Sequence, residues 1–212
     1  MNFEDWEPIY EDILSDLGFD RLQDETSARL MRTLMLNADI ITDDELAASL
    51  KDKAVIFGGA DSLKDEIAGK RFEGTLISAG SATATVMACG IVPDIVVTDL
   101  DGDVEAQIEA SRCGAITLLH AHGDNADAIM RYVKSFTGKV VLTTQSKPDN
   151  LLCNYGGFTD GDRAFCMARH FGITDITLVG FDYDHPSMKE DSDPLMKAKK
   201  LRWAEKIITS FR

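Results

Sequence analysis

The chain has 212 residues, 44% of them hydrophobic, which is enough for one α/β-sized domain with a real core. Lys and Arg number 22 against 36 Asp and Glu, a net charge of −14. That field repels a phosphate backbone, which argues against nucleic acid as a partner, and it requires a nucleotide to be met locally by a metal ion and backbone amides.

The chain opens Met1-Asn2-Phe3-Glu4-Asp5, with neither the basic start nor the apolar stretch of a signal peptide, and no later run has membrane-spanning length. The expected setting is cytoplasmic, with no membrane partner. Residues 1–50 read as a helical extension. Trp6, Ile9, Tyr10, Ile13, Leu14 and Leu17 recur at helical spacing, and Leu30, Met31, Leu34 and Met35 form a second stripe. Thr42 followed by Glu45 is a capping box for a short third helix. No residue type here points to chemistry, so the segment reads as a packing or dimerisation element, with a homodimer left open.

From about residue 51 to 212 the pattern becomes β-rich runs alternating with helical stretches, which predicts βαβ units and a largely parallel sheet of about six strands. The runs are 54–57, 75–77, 95–97, 116–119, 140–142 and 176–179. Nearly all are continuously apolar rather than alternating, as strands covered by helices on both faces are. Asp193 and Pro194 open a final helix with a stripe of Leu201, Ala204, Ile208 and Phe211. Cys89, Cys113, Cys153 and Cys166 form no CxxC pair, so zinc and disulfides are not suggested, and they read as small core residues.

In open parallel sheets ligands sit beyond the carboxyl ends of the strands. Each run is followed by a polar loop: Gly58-Gly59-Ala60-Asp61-Ser62, Ser78-Ala79-Gly80-Ser81, Thr98 to Asp103, His120 to Asn125, Thr143-Thr144-Gln145-Ser146, and Gly180 to Asp184 with Asp182 at its centre. The first two suit backbone approach to phosphate, although neither matches GxxxxGK(S/T) or GxGxxG, and each also reads as a plain strand-to-helix turn.

The third loop is the sharpest feature. Asp99, Asp101 and Asp103 alternate, so in an extended chain they face one way. Two such charges roughly 5 Å apart cost about 3 kcal/mol at an effective dielectric near 20. A hard cation, Mg²⁺ in the first instance, removes that cost. The alternative is that they cap the next helix, the stronger reading for Asp103. His120-Ala121-His122-Gly123-Asp124 looks like a dinuclear-zinc motif, but Asn125 replaces its last histidine and the βαβ pattern argues against that fold. Asp124 is therefore expected to join the aspartate pair, with His120 or His122 on phosphate or substrate. In the segment from Asn154 to Arg163, Gly156 and Gly157 allow close approach, Asp160 or Asp162 caps the following helix or meets substrate, Arg163 meets phosphate, and Tyr155 and Phe158 flank a planar ring.

These blocks together, from Ser78 through Asp103, His120 to Asn125, Asn154 to Arg163 and Val179 to Asp182, resemble the archaeal 6-hydroxymethyl-7,8-dihydropterin pyrophosphokinase family, which is similar in fold to the catalytic domain of thiamin pyrophosphokinase. In the first loop Ala60 and Asp61 stand where that family usually has Gly and Pro. The resemblance implies a Rossmann-like α/β fold and a Mg²⁺-dependent diphosphate transfer from ATP to a pterin alcohol, with Asp99, Asp101 and Asp124 as metal ligands. A thiamin pyrophosphokinase-like enzyme, a nucleotide-sugar glycosyltransferase-like enzyme and a non-catalytic nucleotide-binding module stay open as alternatives.

Overall fold

The computed structural model describes residues 1–185 and 193–211. Three helices come first: α1 (Phe3–Leu17), α2 (Arg21–Leu34) and α3 (Asp43–Ser49). The alternating part follows as β1 (Lys53–Phe57), α4 (Leu63–Ile67), β2 (Thr75–Ala79), α5 (Ala82–Ala88), β3 (Ile95–Thr98), α6 (Val104–Arg112), β4 (Ile116–Ala121), α7 (Ala126–Tyr132), β5 (Val140–Thr144), β6 (Leu152–Cys153), α8 (Asp160–His170), β7 (Asp175–Val179) and α9 (Pro194–Ser210). The seven strands lie in the order β6-β5-β4-β3-β2-β1-β7, and every pairing is parallel.

Every predicted strand is present, one or two residues longer than its apolar core. β3, β4 and β5 are buried along their whole length, which is what a strand covered on both faces requires. The seventh strand, β6, has no counterpart in the sequence pattern. It pairs only Leu152 and Cys153 with Leu142 and Thr143, too short to carry a period. The order steps outward from β1 to β6 and then returns to place β7 on the other side of β1. That reversal opens a crevice at the carboxyl ends of β1 and β7.

The predicted helix signals hold. The α1 stripe buries Trp6, Tyr10, Ile13, Leu14 and Leu17. At α3, Glu45 N–H donates to Thr42 Oγ1 (3.3 Å) and Thr42 N–H donates back to Glu45 Oε2 (3.0 Å). Asp193 caps α9, accepting from Leu195 N–H at 2.9 Å. On α9 the fully packed positions are Ala204, Ile207 and Ile208, whereas Leu201 and Phe211 sit half-exposed at the margin. The cysteines depart from their reading as core residues. Cys166 is buried, Cys153 is half-buried, and Cys89 and Cys113 face solvent at helix ends. Among the described residues no helix is long and apolar enough to cross a membrane.

α1 and α3 share the main core with the sheet, and α2 packs into a second cluster with β4 and β5. Trp6 and Tyr10 join a cluster with Ile56, Ile77, Val97, Leu118 and Phe165. Trp6 is fully buried, and its indole N–H donates to the Gln145 carbonyl at 2.8 Å. Truncating it opens a cavity and strands that carbonyl. Trp6→Ala should therefore lower unfolding free energy by about 3–5 kcal/mol in urea titration. A loss below about 1 kcal/mol would show that α1 is peripheral.

Candidate functional site

The loops after β1, β2, β3, β4, β5 and β7 converge on one cavity of about 460 Å³, within the range of small-ligand sites. Twelve of the predicted site positions line it: Gly58, Gly59, Gly80, Ser81, Asp99, Asp101, His122, Asp124, Gln145, Asp160, Arg163 and Asp182.

The aspartate loop is not extended. Thr98 Oγ1 accepts from Leu100 N–H (2.8 Å) and donates to Gln107 Oε1 (2.7 Å), while Leu100 takes a φ of 66° and buries its side chain. Leu100 turns inward, and Asp99 and Asp101 are left on the cavity wall. Gln107 Nε2 holds the Asp101 carbonyl at 2.8 Å. Asp103 turns away and caps α6 through Ala106 N–H (3.1 Å), so the capping reading is the right one for it.

Asp99 faces an imidazole and a guanidinium. His122 Nε2 lies 3.5 Å from its carboxylate and Arg163 Nη1 lies 3.9 Å away. His122 Nδ1 accepts from Asp124 N–H (3.3 Å), which leaves Nε2 as the protonated nitrogen aimed at Asp99. Burial works to raise the Asp99 pKa, but His122 and Arg163 outweigh it and hold the carboxyl well below its ordinary range. Asp160, 3.0 Å from the same Arg163 Nη1, goes the other way. Burial, and then the Asp99 charge, push it well above the usual carboxylate value. Gly80 has φ +49°, and a Cβ there would run into the Asp160 carboxylate.

Several predicted contacts support the site from behind. Asn125 Nδ2 donates to the Asp99 carbonyl (2.8 Å) and the His120 carbonyl (2.7 Å), and its Oδ1 accepts from His122 N–H (3.0 Å), tying two loops together. His120 is buried with Nδ1 on Thr143 Oγ1 (2.9 Å), and burial together with Arg163 and His122 pushes its pKa down, so it stays neutral. It does not line the cavity, which corrects its reading as a phosphate contact.

Other candidates are structural as well. Ser78 bonds Thr83 Oγ1 (2.9 Å), Ser62 bonds Glu66 (2.6 Å), and Thr144 Oγ1 accepts from Ser146 N–H (3.2 Å). Asp162 is fully buried and accepts from Phe158 N–H and Thr159 N–H. The cap of α8 is Thr159, so neither Asp160 nor Asp162 occupies that position. Gly157, at φ +91°, is approached by the Arg163 backbone rather than by a ligand, and Gly156 by Met1. Tyr155 is likewise withdrawn, donating to Asp43 Oδ1 (2.7 Å), while Phe158 does line the cavity. Asp182 is turned into its own loop, accepting from Asp184 N–H (3.0 Å) and His185 N–H (2.9 Å).

The sequence reading missed two walls. Phe19 and Asp20 precede α2, Gln23 and Asp24 lie in its first turn, and Lys200 and Ala204 come from α9. Asp24 carried a signal. Together with Ser27, Ala28 and Met31 it falls on the buried face of α2, where a carboxylate is out of place unless it is bonded. Among the described residues no three His, Cys, Asp or Glu side chains form a ready metal cage. Asp99, Asp101 and Asp124 line the same cavity as oxygen donors without converging on one point.

Residues 32–187 match the family model described as 6-hydroxymethylpterin diphosphokinase MptE-like. A protein of Pyrococcus furiosus named 6-hydroxymethyl-7,8-dihydropterin pyrophosphokinase is 37% identical, the match covering 98% of this chain and 93% of that protein. Proteins of the same name from Methanothermobacter thermautotrophicus and Methanocaldococcus jannaschii are 38% and 36% identical, over 98% and 100% of this chain and 94% and 96% of theirs.

The raised pKa of Asp160 has a consequence for stability. Below the ordinary carboxylate range both folded and unfolded chains hold the proton. As pH rises the unfolded chain releases it first, so the folded state loses ground until its own pKa is passed. Asp160→Asn removes that penalty. It should raise stability at pH 7–8 by about 1 kcal/mol in chemical denaturation, with the gain vanishing toward pH 3. An Asn variant less stable at neutral pH would show that Asp160 is ionised against Arg163.

Proposed function

The chain belongs to the 6-hydroxymethylpterin diphosphokinase MptE-like family, and we propose that it transfers a diphosphate group from ATP to the hydroxymethyl oxygen of 6-hydroxymethyl-7,8-dihydropterin, releasing AMP. The observation that carries this is the match to three proteins named for that activity over nearly the full length of both partners. A cytoplasmic setting accompanies the reading, since ATP is the donor.

The acceptor oxygen attacks the β-phosphorus. A new O–Pβ bond forms, the bond from Pβ to the α,β-bridging oxygen breaks, AMP carries away that electron pair, and the hydroxyl proton is released. Catalysis of this kind rests on positioning and on charge stabilisation.

A divalent ion of the Mg²⁺ class suits the donor set. Such ions take one or two carboxylates and complete their shells with phosphates and water, rather than needing an all-protein cage. Asp99 and Asp101 on one loop, with Asp124 on the next, are the residues that would hold it. When bound, it supplies positive charge against the polyphosphate. Asp99 suits that role because it stays ionised. Arg163, only 7% exposed at its side chain, adds fixed positive charge at the same wall. Gly58, Gly59, Gly80 and Ser81 leave a low rim for phosphates, and Phe158 and Phe181 offer apolar faces for planar rings.

The test is incubation with ATP, Mg²⁺ and the pterin alcohol. AMP and pterin diphosphate in equal amounts are expected, and ADP as the nucleotide product refutes the reaction. Asp101→Asn should lose at least about 10²-fold in kcat with an unchanged melting transition. Full activity in that variant removes Asp101 from the metal set.

A further inference from the structure

The N-terminal helices bring a buried carboxylate to the back of this site. Asp24 on α2 is 3% exposed. Its Oδ1 accepts from Gly123 N–H at 2.6 Å. Its Oδ2 accepts from Tyr10 O–H and from Gln145 Nε2 at 2.8 Å. Four segments, α1, α2 and the loops after β4 and β5, therefore meet on one side chain.

The chemistry of Gln145 makes this more than a packing contact. An ionised carboxylate only accepts, and a guanidinium only donates. Gln145 lies between the two, with Nε2 on Asp24 and Oε1 accepting from Arg163 Nη2 at 3.3 Å. Asp24, accepting at both oxygens, thus decides which way the amide points, and the amide presents its oxygen to Arg163. The second bond, to Gly123 N–H, fixes the residue after His122. Asp24 therefore stands behind both groups that face Asp99: Arg163 through Gln145, and His122 through Gly123.

We propose that Asp24 is a positioning residue for the transfer reaction, setting the orientation of Gln145 and hence the placement of Arg163 against Asp99. This rests on the reading of the cavity as the diphosphate-transfer site, and it gives a chemical role to a helix whose residue types point only to packing.

The test is a compensation cycle. In Asp24→Asn the side-chain oxygen is claimed by Gly123 N–H, which can only donate, so the new amide nitrogen faces Tyr10 and Gln145 and satisfies Gln145 by donating to its oxygen. That turns Gln145 Nε2 toward the guanidinium, donor against donor. Asp24→Asn should lose about 10²-fold in kcat, with the KM for ATP little changed and the fold intact by thermal melt. Adding Gln145→Glu gives a carboxylate that accepts from both the introduced amide and Arg163, so the Asp24→Asn/Gln145→Glu double variant should recover to within about tenfold of wild type. Gln145→Glu alone sets two carboxylates together and should be impaired.

A readout independent of the reaction is the nitrogen NMR signature of the Arg163 guanidinium, assigned by its loss in Arg163→Lys. Resolved Nη signals are expected in the wild type and the double variant, and averaged ones in Asp24→Asn. Should Asp24→Asn not fold, Gln145→Leu, which removes the bridge and spares the other Asp24 bonds, is read the same way. Full activity in the single variant, or a folded double variant no better than it, overturns the proposal. If the wild type forms no AMP, the assigned reaction falls, and an unchanged Arg163 signal in Asp24→Asn would by itself refute the orienting role.

Discussion

A buried guanidinium organises the carboxyl edge of this sheet. A charge taken out of water is tolerated only when it is paired and hydrogen-bonded. Arg163 meets that requirement at its two terminal nitrogens, with Asp160 and Asp99 on one and the Gln145 oxygen on the other, while its Nε is buried without a partner. The demand propagates outward. Gly157 has to be glycine because its positive φ and the backbone of Arg163 leave no room for a Cβ. Thr159 and Asp162 close a capping box that starts α8 so that Arg163 falls at the cavity. Gln145 has to present oxygen rather than nitrogen, and that reaches back to Asp24 on α2.

The fold was legible in the sequence wherever burial was complete. Val140, Val141 and Leu142, or Ile95, Val96 and Val97, are apolar without alternation because helices cover both faces of the sheet, and such runs have few other readings. β6 left no trace because two residues hold no period, and its partner β5 was already accounted for. The site was legible at the level of loops. Each polar segment after a strand does reach the carboxyl edge, but residue type alone does not separate a side chain that faces the cavity from one that holds the loop. Asp103, Asn125 and Asp162 are all polar and all near the site, and each spends its bonding capacity on backbone. The alternation argument for Asp99 to Asp103 failed because Leu100 adopts a left-handed backbone, which no local pattern announces in a non-glycine residue.

The helical start illustrates a different limit. Periodicity identified the apolar stripes of α1 and α2 but treated them as surfaces to be covered. α1 is covered by the main core, α2 by a second cluster that includes Leu119 and Leu142 of β4 and β5, and the stripe of α2 contains a carboxylate. A polar residue on a buried face signals a bonded network, but the network's other members, Tyr10, Gly123 and Gln145, lie 14, 99 and 121 residues away along the chain. Only the folded chain shows that Asp24 and the site share a wall.

The electrostatic arrangement explains how a chain of net charge −14 can face a polyanion. Counting acidic residues overstates the local field. Asp160 is driven toward its neutral form by burial and by Asp99, so the pair around Arg163 carries about one negative charge, which the guanidinium offsets. Asp182 is engaged by its own loop. Asp101, which accepts from Gly102 N–H, and Asp124 line the wall together with Asp20, Asp24, Asp193, Lys197 and Lys200, beside an Asp99 kept ionised by His122 and Arg163. A divalent ion reverses the sign of such a patch, because two unit charges met at about 4 Å gain roughly 4 kcal/mol at an effective dielectric near 20, and the ion brings two charges of its own. The surface acids lie farther away in water and are screened beyond about 10 Å at ordinary salt. The sign that a phosphate meets is therefore set by groups at the rim of the sheet, and the burial that drives Asp160 toward its neutral form works against a negative balance there.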